Sequence, residues 1–171
     1  ALKEGLNHCS FEWVARMDSD DISEPNRFQI LFDHLNRSKN IDVLGSYIEE
    51  FGMGGARIRA VPITHEDIAR RAKYRSPMNH VSVVFRKSKV EGCGSYQDFK
   101  FLEDYHLWVR MISCGVIFEN IPCCLVRVRV LDMVGRRLGW HYASKEAKLN
   151  FLMLKLNLLN KFNFVIILII K

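Results

Sequence analysis

Residues 11–28, with the sequence FEWVARMDSDDISEPNRF, decide the fold of this chain. Within them a short apolar segment, EWVARM, leads directly into three carboxylates, Asp18, Asp20 and Asp21. Carboxylates this close together repel one another unless a positive charge lies among them. In an open α/β sheet, ligands bind in the loops beyond the carboxyl ends of the strands. The stretch therefore predicts a strand of an α/β sheet that delivers an acidic loop to a binding site.

The composition suits a folded domain with a real core, since the 171 residues are 49% hydrophobic. Five cysteines without C-x-x-C pairs predict reduced thiols in a cytosolic protein. The net charge of +6 fits a polyanionic partner or an anionic membrane surface, although scattered basic residues more often form a solvated face. The aromatic residues follow apolar periodicities and no recognition motif is present, so we expect no nucleic-acid partner.

Strand and helix patterns alternate along the chain, without repeats, which predicts an α/β domain. Predicted helices lie at 24–38, 64–74 and 101–115, the first with an apolar face of Phe28, Leu31, Phe32 and Leu35. Further predicted strands lie at 41–51, 80–87, 116–122 and 123–130. Thr64 and Asp67 stand in capping-box positions, and Gly115 ends the third predicted helix.

The acidic loop has two interpretations from its residues alone. Hard divalent cations such as Mg²⁺ and Mn²⁺ prefer carboxylate oxygens, and with few protein ligands they keep positions open for substrate phosphates. The alternative is a solvated aspartate turn in which Ser23 caps the next helix. A D-x-D pattern is too short to separate the two.

Glu103 and Asp104 form a second acidic pair, at the start of a strongly apolar helix. The helix dipole favours carboxylates there in any protein. A carboxylate delivered by the preceding turn would also be suited to accept a proton from a hydroxyl nucleophile. One acidic group for a metal and another for a base indicate a transferase or hydrolase of phosphorylated substrates.

Several segments in collinear order carry a family resemblance. These are FEWVARMDSDDISEPNRF, RAVPITHEDI, RSPMNHVSVVFRKS, GSYQDFKFLEDYHLWVRM, FENIP and GRRLGW. Over residues 1–142 the chain resembles bacterial family 2 glycosyltransferases. The resemblance implies a GT-A fold, a Rossmann-like mixed α/β sheet flanked by helices, here N-terminally truncated and lacking the first βαβ nucleotide-binding strands. Such a sheet would expose an edge and an apolar face. Residues 143–171 would form a C-terminal amphiphilic helical tail.

The resemblance also implies site residues. Asp18 and Asp20 match the metal-binding D-x-D, which would hold Mn²⁺ or Mg²⁺ with the diphosphate of a nucleotide-sugar donor, and Asp21 adjoins them in that substrate site. Asp104 matches the catalytic base, and Glu103 would orient the acceptor or the base.

Two further residues are assigned to substrate binding. Arg129 would contact the diphosphate, with a solvated strand end as the alternative. His80 would line the acceptor pocket, with a purely structural histidine as the alternative.

The implied function is inverting transfer of a sugar to a hydroxyl of a surface glycan or lipid-linked sugar, with metal-assisted departure of the nucleoside diphosphate. The alternative is an inactive, membrane-associated remnant without a nucleotide pocket; a metal-dependent phosphohydrolase would need more grouped ligands. The expected localisation is cytoplasmic, at the inner membrane face through the tail. The apolar run at 164–170 is too short to span a bilayer, so it would lie in the membrane interface or belong to a packing helix.

Overall fold

The computed structural model describes residues 1–52, 55–130 and 140–164. The described strands are β1 (Trp13–Ala15), β2 (Ile22–Ser23), β3 (Val43–Gly52), β4 (Arg57–Arg59), β5 (Val84–Arg86) and β6 (Phe118–Val130). The described helices are α1 (Leu2–Asn7), α2 (Arg27–Arg37), α3 (His65–Arg71), α4 (Lys87–Gly92), α5 (Glu103–Ser113) and α6 (Trp140–Lys155). A single 3₁₀ turn, His80–Ser82, precedes β5.

The strands form one mixed sheet in the order β1-β5-β3-β6-β2, with β4 paired to β3 beside this path. The two longest strands, β3 and β6, run parallel at its centre, and the other pairings are antiparallel. Parallel neighbours need a long crossover, which α3, β5 and α5 supply here between β3 and β6. The α/β architecture predicted from the sequence is confirmed.

Two predictions about strands are wrong. Residues 80–87 do not form one strand, because His80–Ser82 is a 3₁₀ turn, β5 is limited to Val84–Arg86, and Lys87 begins α4. The segments 116–122 and 123–130 are not two strands, because β6 runs unbroken from Phe118 to Val130. Its pairing with β3 shifts register between Ile121 and Val126. Pro122 lies at this irregularity and cannot donate a ladder hydrogen bond, so its presence produces a bulge rather than a strand end.

The β1 edge of the sheet is open in the part of the chain that the structure describes. β1 pairs only with β5, through Trp13 with Arg86 and Ala15 with Val84. Beside it, Phe28 and Phe32 of α2 are 61% and 62% exposed. They line a groove of about 670 Å³ between α2 and β1. The predicted exposed edge and apolar face are therefore both present.

The helices on the other face cover the core. Leu107, Trp108 and Met111 of α5 are fully buried against the sheet. On its outer side α5 packs against α6, where Leu149 and Met153 are buried. No helix within the described ranges has the length and apolar content needed to cross a membrane. Residues 165–171, which include nearly all of the C-terminal apolar run, lie outside the described residues, as does most of GRRLGW.

Candidate active site

The acidic loop, residues 16–21, connects β1 at one edge of the sheet with β2 at the other. It turns on a backbone hydrogen bond of 3.3 Å from Asp21 N to Asp18 O. Ser23, the expected helix cap, instead belongs to β2, and the residue that precedes α2 is Asn26. The capping interpretation of this loop is therefore wrong, and the acidic residues are presented at the ends of the strands.

Asp21 is the buried member of the three acidic residues, with 9% exposure. Its Oδ1 accepts a hydrogen bond of 3.1 Å from the backbone N of Arg129, and its Oδ2 is buried without a hydrogen-bond partner among the described residues. Burial raises the pKa of this carboxyl, and the nearby charges of Asp18 and Asp20 raise it further. The loop therefore keeps a buried carboxylate next to two others, and a bound cation would relieve the repulsion among them.

Two arginines hold the start of the loop. Arg16 donates from Nη2 to Asp18 Oδ1 at 2.6 Å. Arg27, which begins α2, is completely buried and donates from Nη2 to the backbone O of Arg16 at 2.8 Å. The Nε and Nη1 atoms of Arg27 have no partner among the described residues, and burial lowers its pKa. These contacts fix the position from which Asp18 leaves the sheet.

Glu103 and Asp104 form the first turn of α5, as predicted. Ser76 Oγ donates to Asp104 Oδ2 at 3.3 Å. Burial raises the pKa of Asp104, although hydrogen bonds from the Tyr105 backbone and from Ser76 work in the opposite direction. A carboxylate with a raised pKa binds a proton more strongly, which is the property required of a general base for a hydroxyl group.

His80 lies in the 3₁₀ turn between these two acidic groups. Its Nε2 is 2.9 Å from the Tyr96 hydroxyl, and its ring meets the Trp108 ring edge-on at 5.7 Å between centroids. Burial, with a smaller contribution from the charge of Arg16, lowers the pKa of His80 to about 3. The imidazole is therefore neutral at physiological pH, so it serves as a hydrogen-bonding group rather than a cation.

Tyr96 and Arg16 are two further groups near His80. Burial raises the pKa of Tyr96, with Arg16 lowering it and Asp104 raising it. Arg16 also bonds Asp18, and the Tyr96 hydroxyl lies within hydrogen-bond distance of His80. Sheet pairing brings Arg16 next to the His80 turn, because the backbone N of Arg16 donates a hydrogen bond to the Val83 O.

Arg129 lies beside the acidic loop, since its backbone N bonds Asp21. Its guanidinium lies over the Phe51 ring at 5.2 Å, where Arg127 also stacks. The two arginines and the acidic loop thus share the β6 end of the sheet. Asp21 and Arg129 therefore meet at this end of the sheet, whereas His80 contacts Tyr96 and the Glu103–Asp104 pair lies at the start of α5.

The loop suits a divalent cation with few protein ligands. In the described residues no group of three or more His, Cys, Asp or Glu side chains is arranged to hold a metal ion. Asp20, however, is exposed and makes no hydrogen bond or ion pair with the described residues, and Asp18 uses one oxygen for Arg16. Two carboxylates with open coordination positions match Mg²⁺ or Mn²⁺, which complete their shells with water and phosphate oxygens.

Sequence patterns did not identify Arg16, Arg27, Ser76 or Tyr96. Arg16 and Tyr96 lie within quoted segments, but nothing local shows that they meet across β1, β5 and the turn before α5. Ser76 has a weak signal, because it precedes a proline in the segment RSPMNH. Arg27 follows Pro25 and Asn26, and no local sequence pattern indicates that its side chain is buried.

Comparison with known proteins identifies the family. The glycosyl transferase family 2 profile matches residues 1–93, more than half of the chain. The chain belongs to glycosyl transferase family 2. The amylovoran biosynthesis glycosyltransferase AmsE of Erwinia amylovora is 40% identical over 158 residues, covering 91% of this chain and 59% of the relative.

A second relative is the UDP-Gal:alpha-D-GlcNAc-diphosphoundecaprenol beta-1,3-galactosyltransferase of Escherichia coli. It is 34% identical over 170 residues, covering 97% of this chain and 62% of its own length. This family 2 chain therefore spans about three-fifths of the length of these relatives. Among solved structures, S. aureus TarS 1-349 in complex with UDP-GlcNAc matches with a TM-score of 0.67 and 13% identity, covering 97% of this chain and 49% of TarS. The fold is GT-A, as predicted.

Proposed function

We propose that the protein transfers a sugar from a nucleoside-diphosphate sugar to a hydroxyl group of a glycan or lipid-linked acceptor, with inversion. The proposal is supported, in a family 2 chain, by an acidic loop at the strand ends, which Asp21 ties to β6, and by a half-buried Asp104 in the first turn of α5. The galactosyltransferase relative, whose name states UDP-Gal and a diphosphoundecaprenol-linked GlcNAc, supports this class of donor and acceptor.

The donor would be held at the acidic loop. Asp18 and Asp20 would ligate Mn²⁺ or Mg²⁺, which supplies charge neutralisation for the departing diphosphate. Asp21 adds negative charge beside them and ties the loop to β6 through Arg129 N. Arg129 makes no ion pair with the described residues, so its guanidinium would be available to contact the diphosphate. Arg16 keeps Asp18 oriented.

The acceptor would lie between Asp104 and His80. Asp104 accepts the proton of the acceptor hydroxyl as its oxygen bonds the anomeric carbon and the bond to the diphosphate breaks. Glu103 adds negative charge at the same helix end, which contributes to the raised pKa of Asp104. Neutral His80, hydrogen-bonded to Tyr96, would bound the acceptor pocket.

A transfer assay with UDP-galactose and a GlcNAc-diphospho-lipid acceptor tests this function in the full protein, with the product's anomeric configuration read by NMR. We expect Asp104→Asn to lower the transfer rate by about a hundredfold or more, because a general base contributes on that order. Asp98→Asn, an exposed carboxylate before α5, is the matched control and should leave the rate unchanged.

Product with retained configuration, or an Asp104→Asn variant within threefold of wild type, would contradict the proposal. Absence of transfer with every nucleotide sugar, together with absence of nucleotide binding, would favour the inactive remnant instead. Peripheral contact with the inner membrane face stays a prediction, tested by fractionating cells that carry the full protein.

A further inference from the structure

A second positively charged feature lies on segments of backbone that border the start of α5. It consists of Arg59 on β4, Arg71 at the end of α3 and Arg75 one turn later, which we call the arginine cluster. The Arg75 N donates to Arg71 O at 3.1 Å, so the two side chains leave the same turn of backbone. Burial lowers the pKa of Arg71, and the charges of Arg75 and Arg59 lower it further.

The charges in the cluster are poorly compensated. In the described part of the chain, Arg71 and Arg75 take part in no ion pair, and the Arg71 Nε is buried without a hydrogen-bond partner. Arg59 approaches Glu50 at 3.6 Å, but Glu50 is already held by Arg57 at 2.6 Å. Guanidinium groups gathered in this way repel one another unless an anion lies among them.

The cluster is connected to the candidate base by short contacts. Ser76, the residue after Arg75, donates to Asp104 Oδ2 at 3.3 Å. Tyr105 follows Asp104, and its hydroxyl donates a hydrogen bond of 2.7 Å to the backbone O of Ala72, the residue after Arg71. The segment that carries Arg71 and Arg75 therefore borders Asp104, which puts the cluster within reach of an acceptor whose hydroxyl lies at Asp104.

We propose that the arginine cluster binds the phosphate oxygens of the acceptor, so that the acceptor is a sugar carried on a phosphate or diphosphate group. This assignment rests on the proposed function, because it uses Asp104 as the base that fixes the acceptor hydroxyl. Planar guanidinium forks match phosphate oxygens in pairs, and three of them suit the charge of a diphosphate better than that of a single carboxylate. The donor diphosphate belongs to the acidic loop, where Arg16 bonds Asp18.

Calorimetric titration of inorganic pyrophosphate into the full protein, in EDTA, tests the site without the metal. We expect Arg71→Gln and Arg75→Gln each to weaken binding about tenfold, the effect of losing a charge-assisted hydrogen bond. Arg70→Gln is the matched control, since Arg70 lies on the same helix, is exposed and pairs with Asp67 at 2.7 Å. Its affinity should stay within twofold of wild type. Because Arg75 is exposed, its substitution does not endanger folding.

The proposal would be overturned by a pyrophosphate affinity that is unchanged in both variants, or by glucuronate binding at least as tightly as pyrophosphate with the same dependence on Arg71. Titration of UDP with Mn²⁺ separates the donor from the acceptor. Arg71→Gln should leave this affinity within twofold, and an equal loss of UDP and pyrophosphate binding would assign the cluster to the donor and refute an acceptor site. A protein that binds pyrophosphate as expected but binds no UDP would refute the proposed donor site and leave the anion site standing.

Discussion

Replacement of Asp21 by Asn provides a stringent test of the acidic loop, because it should make the metal-free protein more stable. Asp21 is 9% exposed, and its Oδ2 is buried without a hydrogen-bond partner in the described part of the chain. Asn keeps an oxygen for the backbone N of Arg129 and removes the repulsion from Asp18 and Asp20. Repulsion between carboxylates near a protein surface is about 0.5–1 kcal/mol per pair, so the expected gain is about 1 kcal/mol.

The gain should depend on pH in a defined direction. The folded-state pKa of Asp21 is raised above the ordinary 3.8, chiefly by burial, so folding favours the protonated form. The contribution of Asp21 to the free energy of unfolding of wild type is fully present below pH 3.8 and is lost as the pH rises through the raised pKa. The advantage of Asp21→Asn should therefore be present at pH 7.5 and shrink towards pH 4.

Urea unfolding in EDTA at the two pH values measures this effect, with the exposed Asp98→Asn as the control for a change of net charge. Adding Mn²⁺ should stabilise wild type more than Asp21→Asn, because the variant has lost part of the charge that attracts the cation. An Asp21→Asn variant that is about 1 kcal/mol less stable than wild type at pH 7.5 in EDTA would refute the reasoning, since that is the cost of an ordinary lost hydrogen bond.

Three other predictions concern the site and its support. Ser76→Ala removes a hydrogen bond that lowers the pKa of Asp104, so the acid limb of the pH–rate profile should move to higher pH; an unmoved limb would exclude Asp104 as the titrating base. Gly45→Ala should destabilise by about 2 kcal/mol or more in urea, because the added Cβ would overlap the Asn120 side chain; wild-type stability would contradict this packing. Ser95→Gly should stabilise by up to about 1 kcal/mol, since Ser95 has a φ of 54°; a loss on thermal unfolding would count against strain there.

Features encoded in adjacent residues were predictable from the sequence. Thr64 caps α3 by accepting a hydrogen bond of 3.3 Å from Asp67 N, and Gly115, with a φ of 74°, follows the end of α5. Both depend on contacts within one turn, which a linear pattern contains. The position of the acidic loop at a strand end was predictable for the same reason. The family resemblance supplied the GT-A fold, which local patterns alone do not specify.

Features that depend on tertiary pairing were not predictable. Pro122 suggested the end of a strand, but pairing with β3 carries β6 past it. His80 was expected at the start of the strand predicted at 80–87 and instead lies in a 3₁₀ turn, where Tyr96 approaches it from a distant segment. The sequence indicated only scattered basic residues, and the hydrogen bonds from Tyr105 to Ala72 and from Ser76 to Asp104 bring the segment with Arg71 beside the start of α5.

Calorimetric titration of UDP into the full protein, with Mn²⁺ and with EDTA, tests the central claim most directly when wild type and Asp20→Asn are compared. We expect binding that requires Mn²⁺ and is lost in Asp20→Asn, because this exposed carboxylate would be the metal ligand that has no other partner in the described chain. Equal binding of UDP in EDTA and Mn²⁺, or an Asp20→Asn variant that binds as wild type does, would contradict this expectation.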